Sequence, residues 1–220
     1  MPKRIEWDKT GERFLEMGVD HVVLYRQDTD GAYPAGVPWN GVTAITESPS
    51  GAEANDFYAD NIKYGSIRSA ETYGATIEAY QSPEEFDECD GSAEVAKGVM
   101  IHQQKRVPFG ICYRTLITND TASDTDDGYL IHIIWNATAS PSEKNRQTIN
   151  ESPDAVTMSW EIDTTPINVS GYRPTASMTI SSLKADPTKL KTLEDTLYGS
   201  TTADAKLPLP DEIIEMMKES

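Results

Sequence analysis

Hydrophobic and polar positions alternate with a period of two in several short stretches of this chain, the spacing of strands with one buried face. Between residues 156 and 163, Val156, Met158, Trp160 and Ile162 fall on one side, and Thr157, Ser159, Glu161 and Asp163 on the other. Ala176, Met178 and Ile180 repeat the pattern against Ser177, Thr179 and Ser181. So do Ala75, Ile77 and Ala79 within 73–81, against Thr76, Glu78 and Tyr80. Runs rich in β-formers at 19–27, 107–118 and 129–137 predict further strands, the last two joined as a hairpin across an Asp/Gly-rich tip. Turn-separated short strands are expected at about 42–48, 52–59 and 61–69.

Other stretches follow different rules. Residues 28–41 (DTDGAYPAGVPWNG) are too rich in proline and glycine for a regular element, and predict a long loop carrying Tyr33, Val37 and Trp39. In SPEEFDECDG, Ser82 can cap a helix, Pro83 suits its first position, Glu85 completes a capping box and Gly91 stops it. Asp186-Pro187 opens a second helix that runs to about Tyr198, and DEIIEMMK after Pro210 a third. The domain plan is therefore a polar arm at 1–18, a β-domain at 19–182 and a helical extension at 183–220. No repeat of 20–50 residues is visible.

Charge narrows the function classes. Nineteen Lys and Arg stand against 36 Asp and Glu, a net of −17. Phosphate neutralisation needs clustered cations, so nucleic acid is excluded as a tightly held ligand, though a like-charged wall tolerates it in passing. The excess is uneven: residues 47–95 hold twelve acidic and two basic side chains, while 97–114 hold four basic and no acidic ones. Opposite patches suit head-to-tail contact between identical copies; they equally suit plain solvated faces. Two cysteines, Cys89 and Cys112, form no disulfide framework, and the N-terminus lacks the apolar stretch of a signal peptide. No run approaches the length of a membrane span. Synthesis in the cytoplasm is expected.

Catalytic chemistry finds no foothold. His21 and His132 fall inside strands and His102 precedes a polar QQKR run, with none of the spacing of a zinc motif. Nucleophile elbows and glycine-rich phosphate loops are absent. The acidic tips at Asp28–Asp30 and Asp124–Asp127 resemble calcium loops only superficially, because Trp135 stands where a loop begun at Asp124 needs its last acidic ligand. Turn tips are the better account. No enzyme, cofactor or metal is expected.

The order of features carries a resemblance. The arm TGERFLEMGVD leads into VVLYRQ, then a loop ending PWNGV, then GAEANDFYADNIKY, GATIEAYQSPEEFDECDG and PFGICYRTLI. Over most of residues 10–182 this resembles the major tail (tail tube) proteins of long-tailed bacteriophages. The resemblance implies a β-sandwich or closed β-barrel with one flanking α-helix, and a virion protein that stacks as homo-hexameric rings into a hollow tube. It implies a tape measure protein inside, tail terminator and tail-tip proteins at the ends, and DNA only as transiting cargo. It also implies a long inter-strand loop reaching a neighbouring ring, for which 28–41 is the best local match. On this reading Tyr33, Val37, Trp39, Phe57, Tyr58, Lys105 and Arg106 are candidate subunit-interface residues, although Tyr33 and Trp39 also suit their own sheet. Glu84, Glu85, Asp87 and Glu88 are candidate lumen-facing carboxylates. A monomeric β-sandwich binding module and the inner tube of a contractile injection system are the alternatives.

Overall fold

The structure, a computed structural model, describes residues 4–121, 128–146, 148 and 155–218. The strands are β1 (Phe14–Arg26), β2 (Gly36–Pro38), β3 (Val42–Glu47), β4 (Ser50–Gly51), β5 (Ala54–Ala59), β6 (Ile62–Arg68), β7 (Glu71–Thr72) and β8 (Gly74–Ala79). There follow β9 (Ala93–Ala96), β10 (Val99–Ile101), β11 (Phe109–Asn119), β12 (Gly128–Ala139), β13 (Met158–Thr164) and β14 (Ser177–Ser181). Helices α1 (Pro187–Leu197) and α2 (Pro210–Met217) complete the described chain. The calcium-like tip at 124–127 and most of the polar stretch at 147–154 lie outside the described residues.

The architecture turns on β12. Its first half pairs with β14, from Leu130↔Ser181 to Ile134↔Ser177, and its second half with β13, from Ala137↔Thr164 to Ala139↔Ile162. The switch falls at Asn136, which adopts a left-handed φ of 50°, a conformation asparagine tolerates better than most residues. One sheet in the order β2-β1-β11-β12-β13-β8-β3 thus folds back over itself as a sandwich. Between its halves lie Leu24, Ile77, Phe109, Ile111, Ile134, Trp160 and Ile162. The aromatic centre is interlocked: Trp39 meets Phe86 at 4.5 Å and Trp160 at 5.5 Å, and Phe86 meets Phe109 edge-on at 5.4 Å.

The sandwich does not close into a barrel. β1 and β3 approach each other, but no ladder joins them. Two bulges in β1 explain the gap. Its register with β11 slips between Met17 and Asp20 and again between Asp20 and Val23, with Gly18 (φ 67°) and His21 (φ 50°) in left-handed conformations. Such bulges bend a strand and end regular pairing at its edge.

The outer face of the β1-β11-β12 half is covered by the C-terminal helices. Val23, Tyr25, Cys112, Ile131, Ile133 and Trp135 pack against Leu190, Leu193, Leu197, Leu207 and Ile213. Asp186 caps α1 by accepting from the amides of Thr188 and Lys189, with Pro187 at its first turn. Buried polar tips are satisfied across the layers: Tyr25 donates to the Leu197 carbonyl at 2.5 Å and Trp135 Nε1 to Pro208 at 2.9 Å. A Cβ on Gly110 would come within 2.3 Å of Leu207, so glycine is what lets the last layer approach. The described part of the extension, 183–218, is therefore a third layer of the fold.

The helix expected at 82–91 is instead a single 3-10 turn, Glu84–Phe86, followed by turns, and no side chain caps it. Asp87, Glu88 and Asp90 put negative charge where the carbonyl end of a helix would lie, which disfavours continuation. Phe86 and Cys89 both point into the core, so tertiary packing sets the path. Strand alternation fares better: Trp160 and Ile162 are buried and Met158 half-buried, whereas Val156 precedes β13 and is exposed.

Trp160→Ala should cost about 3–5 kcal/mol in urea unfolding, as for a large buried aromatic. The Trp160 indole N–H has no partner among the described residues, whereas Trp39 donates to the Gln81 carbonyl at 2.8 Å. Trp160→Phe should therefore be tolerated better than Trp39→Phe, which leaves an acceptor unpaired.

Candidate assembly surface

Between β3 and β8 the chain leaves the body as an arm, residues 48–73. Its root is held by the Ser48 amide on the Gly74 carbonyl at 2.7 Å and by the short β4–β7 pair. Beyond it, β5 and β6 pair with each other, and neither packs extensively on any other described element. Asp60 and Asn61 form the tip with φ of 51° and 64°, the double left-handed turn that matches strand twist. A kink separates root and tip at Gly51 (φ 88°) and Ala52 (φ 55°), where a Cβ on Gly51 would stand 2.5 Å from the Ala70 carbonyl oxygen.

Register divides the arm into two faces. Asn55↔Ile67, Phe57↔Gly65 and Ala59↔Ile62 put their side chains on one side by strand alternation. Ala54↔Arg68, Asp56↔Ser66 and Tyr58↔Lys63 fall on the other, where Lys63 lies 2.8 Å from Asp56 and holds its carboxyl below the usual range. Phe57, Ile62 and Ile67 are 45%, 63% and 64% exposed. Fully burying side chains of this size is worth about 1.5–3 kcal/mol each, and the chain's own body offers them no cover. A two-stranded ribbon is at best marginally stable alone, and no described element packs extensively on the arm's apolar face.

Two further surfaces are open. β9 and β10 form a second ribbon with Val95, Val99 and Ile101 exposed. The first half of β1 carries exposed Phe14, Leu15 and Met17 and, among the described residues, pairs only with β11, since β2 covers only Val23–Tyr25. Among the described residues β14 likewise pairs with β12 alone.

The residues singled out in the sequence separate into groups. Tyr33 and Trp39, each 2% exposed, lie in the chain's own core and cannot serve as exposed anchors. The 28–41 segment folds back: the Asp28 carboxylate accepts the amides of Asp30 and Ala32 in a tight turn, and Tyr33 bridges to Leu207. Its hydroxyl takes the Asn136 amide at 2.9 Å. Val37 is half-buried in β2 opposite Leu24. No long projecting loop remains there, because its aromatic rings fill the space between layers. Phe57 and Tyr58, by contrast, stand exposed on the arm.

Lys105 is exposed, while Arg106 is half-buried and lies over Gly91. Glu84 and Glu85 are exposed, and neither forms an ion pair among the described residues. Glu88 pairs with Arg26 at 2.5 Å. Asp87 is half-buried, and desolvation followed by repulsion from Asp90 pushes its carboxyl upward. The residues that sequence reasoning missed are Ile62, Tyr64 and Ile67. Their signal was present in two short strands around an Asp-Asn turn, but alternation alone does not say whether a strand's apolar face meets its own core.

No family model matches the chain, and no curated protein sequence matches it. Among solved structures it is similar to a chain of the sheath/tube terminator of the extracellular contractile injection system PVC in its extended state, at 12% identity and a TM-score of 0.35, over 80% of this chain and 99% of that one. A chain of the anti-feeding prophage (AFP) baseplate matches at 7% identity and a TM-score of 0.39, over 80% and 97%. A chain of the PVC sheath-tube complex matches at 14% and 0.32, over 80% and 94%. At these values the likeness carries no argument about function.

Gly51→Val places a branched Cβ against the Ala70 carbonyl in a backbone conformation it disfavours. Amide exchange across 54–68 should rise sharply while β11 and β12 keep their protection; unchanged exchange in the arm would remove the kink from the account.

Proposed function

We propose that this chain is a non-catalytic, self-assembling tail-tube subunit of a long-tailed phage, stacking as hexameric rings around a lumen through which DNA passes. The single observation that carries the reading is the arm: an ordered ribbon with an apolar face on which no other described element packs extensively. The resemblance in the order of sequence features supports the same reading. In this proposal the inter-ring element is the arm at 48–73, and Phe57, Ile62 and Ile67 are its anchors, as central apolar side chains are in other interfaces.

Two open strand edges, on β1 and β14, supply different surfaces. Such contacts are heterologous, and they form a ring when the rotation between copies closes. Edge pairing between copies would also remove the aggregation hazard that open edges otherwise pose. The exposed carboxylates of Glu84 and Glu85 are the best-placed candidates for a lumen wall that repels phosphates. A tape measure protein inside, and terminator and tail-tip proteins at the ends, are the partners this role requires.

Electron microscopy of the purified protein at high concentration, or seeded with tail tips, should reveal rings or tubes. Phe57→Ser/Ile67→Ser should stay monomeric with an unchanged melting temperature, since both side chains are exposed in the monomer. Equal assembly by both proteins, or a wild type that is monomeric under every such condition, would contradict the proposal.

A further inference from the structure

Two ribbons on this chain carry apolar faces of similar build. In the β9–β10 ribbon, Ala93↔Ile101 and Ala96↔Val99 share one face by register, and Val99 and Ile101 are 52% and 40% exposed. Glu94 and Met100, on the other face, line a cleft of about 590 Å³ with Glu84, Asp87 and Glu88, which leaves the Val99–Ile101 face outermost. On the arm, Gly65 stands opposite Phe57, and open space lies where its Cβ would be, a notch in the apolar face. We propose that the arm of one copy lays its Phe57–Ile67 face on the β9–β10 ribbon of a second copy, with a branched side chain of β10 seated over Gly65. The inference deepens the assembly reading and rests on it: it names the surface that receives the arm.

Charge selects a second copy as the occupant. The arm at 48–73 carries Glu53, Asp56, Asp60 and Glu71 against Lys63 and Arg68, and Lys63 is taken by Asp56. Residues 96–106 carry Lys97, Lys105 and Arg106 and no carboxylate. Glu94, just before them, accepts the Gly98 amide at 2.7 Å. Asp60 at the arm's tip and Lys97 at the ribbon's tip are both exposed, and neither forms an ion pair among the described residues. Two arms brought together would oppose carboxylates at their tips, whereas an arm on a β9–β10 ribbon brings opposite charges together. Within one chain the two ribbons do not pack extensively on each other, so this match is available between copies. Stacked face to face, each ribbon gains the second layer that it lacks alone. Each copy offers one ribbon of each kind, so the contact is heterologous and passes from copy to copy.

The test mixes two full-length variants in analytical ultracentrifugation, under conditions in which the wild type assembles. Phe57→Ser/Ile67→Ser spoils the arm and keeps the ribbon; Val99→Ser/Ile101→Ser spoils the ribbon and keeps the arm. Each alone should remain monomeric. Their equimolar mixture should yield complexes of one copy of each, because a single sound arm meets a single sound ribbon and growth stops there. If Val99→Ser/Ile101→Ser does not fold, Lys97→Glu/Lys105→Glu, which reverses the charge beside the ribbon, takes its place with the same expectation. A folded ribbon variant that assembles like the wild type, or a mixture that stays monomeric, overturns the pairing and leaves the tube reading standing. Mixed complexes from a protein whose wild type forms neither rings nor tubes would keep the pairing and contradict the tube. A wild type monomeric under every condition contradicts both.

Discussion

A ribbon of two strands has two faces and no third layer, and the behaviour proposed for this chain follows from that constraint. In the body, the sandwich halves meet each other, and α1 and α2 cover the outer side of β1, β11 and β12. Between Glu47 and Gly74 the register of β5 with β6 puts Phe57, Ile62 and Ile67 on one side of a ribbon that packs extensively on no other described element. Hydrophobic burial is non-directional and roughly proportional to area, so such a face favours whatever complementary surface reaches it.

The body supplies the rigidity that an exposed ribbon needs. Trp39, Phe86, Phe109 and Trp160 interlock beneath β3 and β8, the strands from which the arm springs. The arm's direction is set by few residues, the kink at Gly51–Ala52 and the root at Ser48–Gly74 and the β4–β7 pair. The bulges at Gly18 and His21 act oppositely on the other side of the sandwich, keeping β1 from closing onto β3 and leaving part of its edge open.

Strand identity was legible because its cause is local. Trp160 and Ile162, or Ala75, Ile77 and Ala79, bury one side of a pleat, and period two records that directly. The C-terminal helices were legible for the same reason, through Asp186, Pro187 and Gly199. Their role as a third layer was not, because no local pattern tells a helix which sheet it will cover. The turn at Glu84–Phe86 was misread as a helix, since good capping residues met acidic residues at the wrong end and a core that claimed Phe86 and Cys89. Exposure was half legible: Phe57 and Tyr58, chosen for their chemistry, stand exposed on the arm, while Tyr33 and Trp39, of the same chemistry, are internal. Burial depends on long-range pairing, such as Tyr33 with Leu207, which composition cannot reveal.

The most direct test of the central claim is amide hydrogen exchange of the arm compared between monomer and assembled particles. The account predicts that amides across 54–68 exchange faster than those of β11 and β12 in the monomer and become strongly protected on assembly, together with those of the open β1 edge. Assembly that leaves arm exchange unchanged would mean that copies meet elsewhere, and that the ribbon's apolar face is not what joins them.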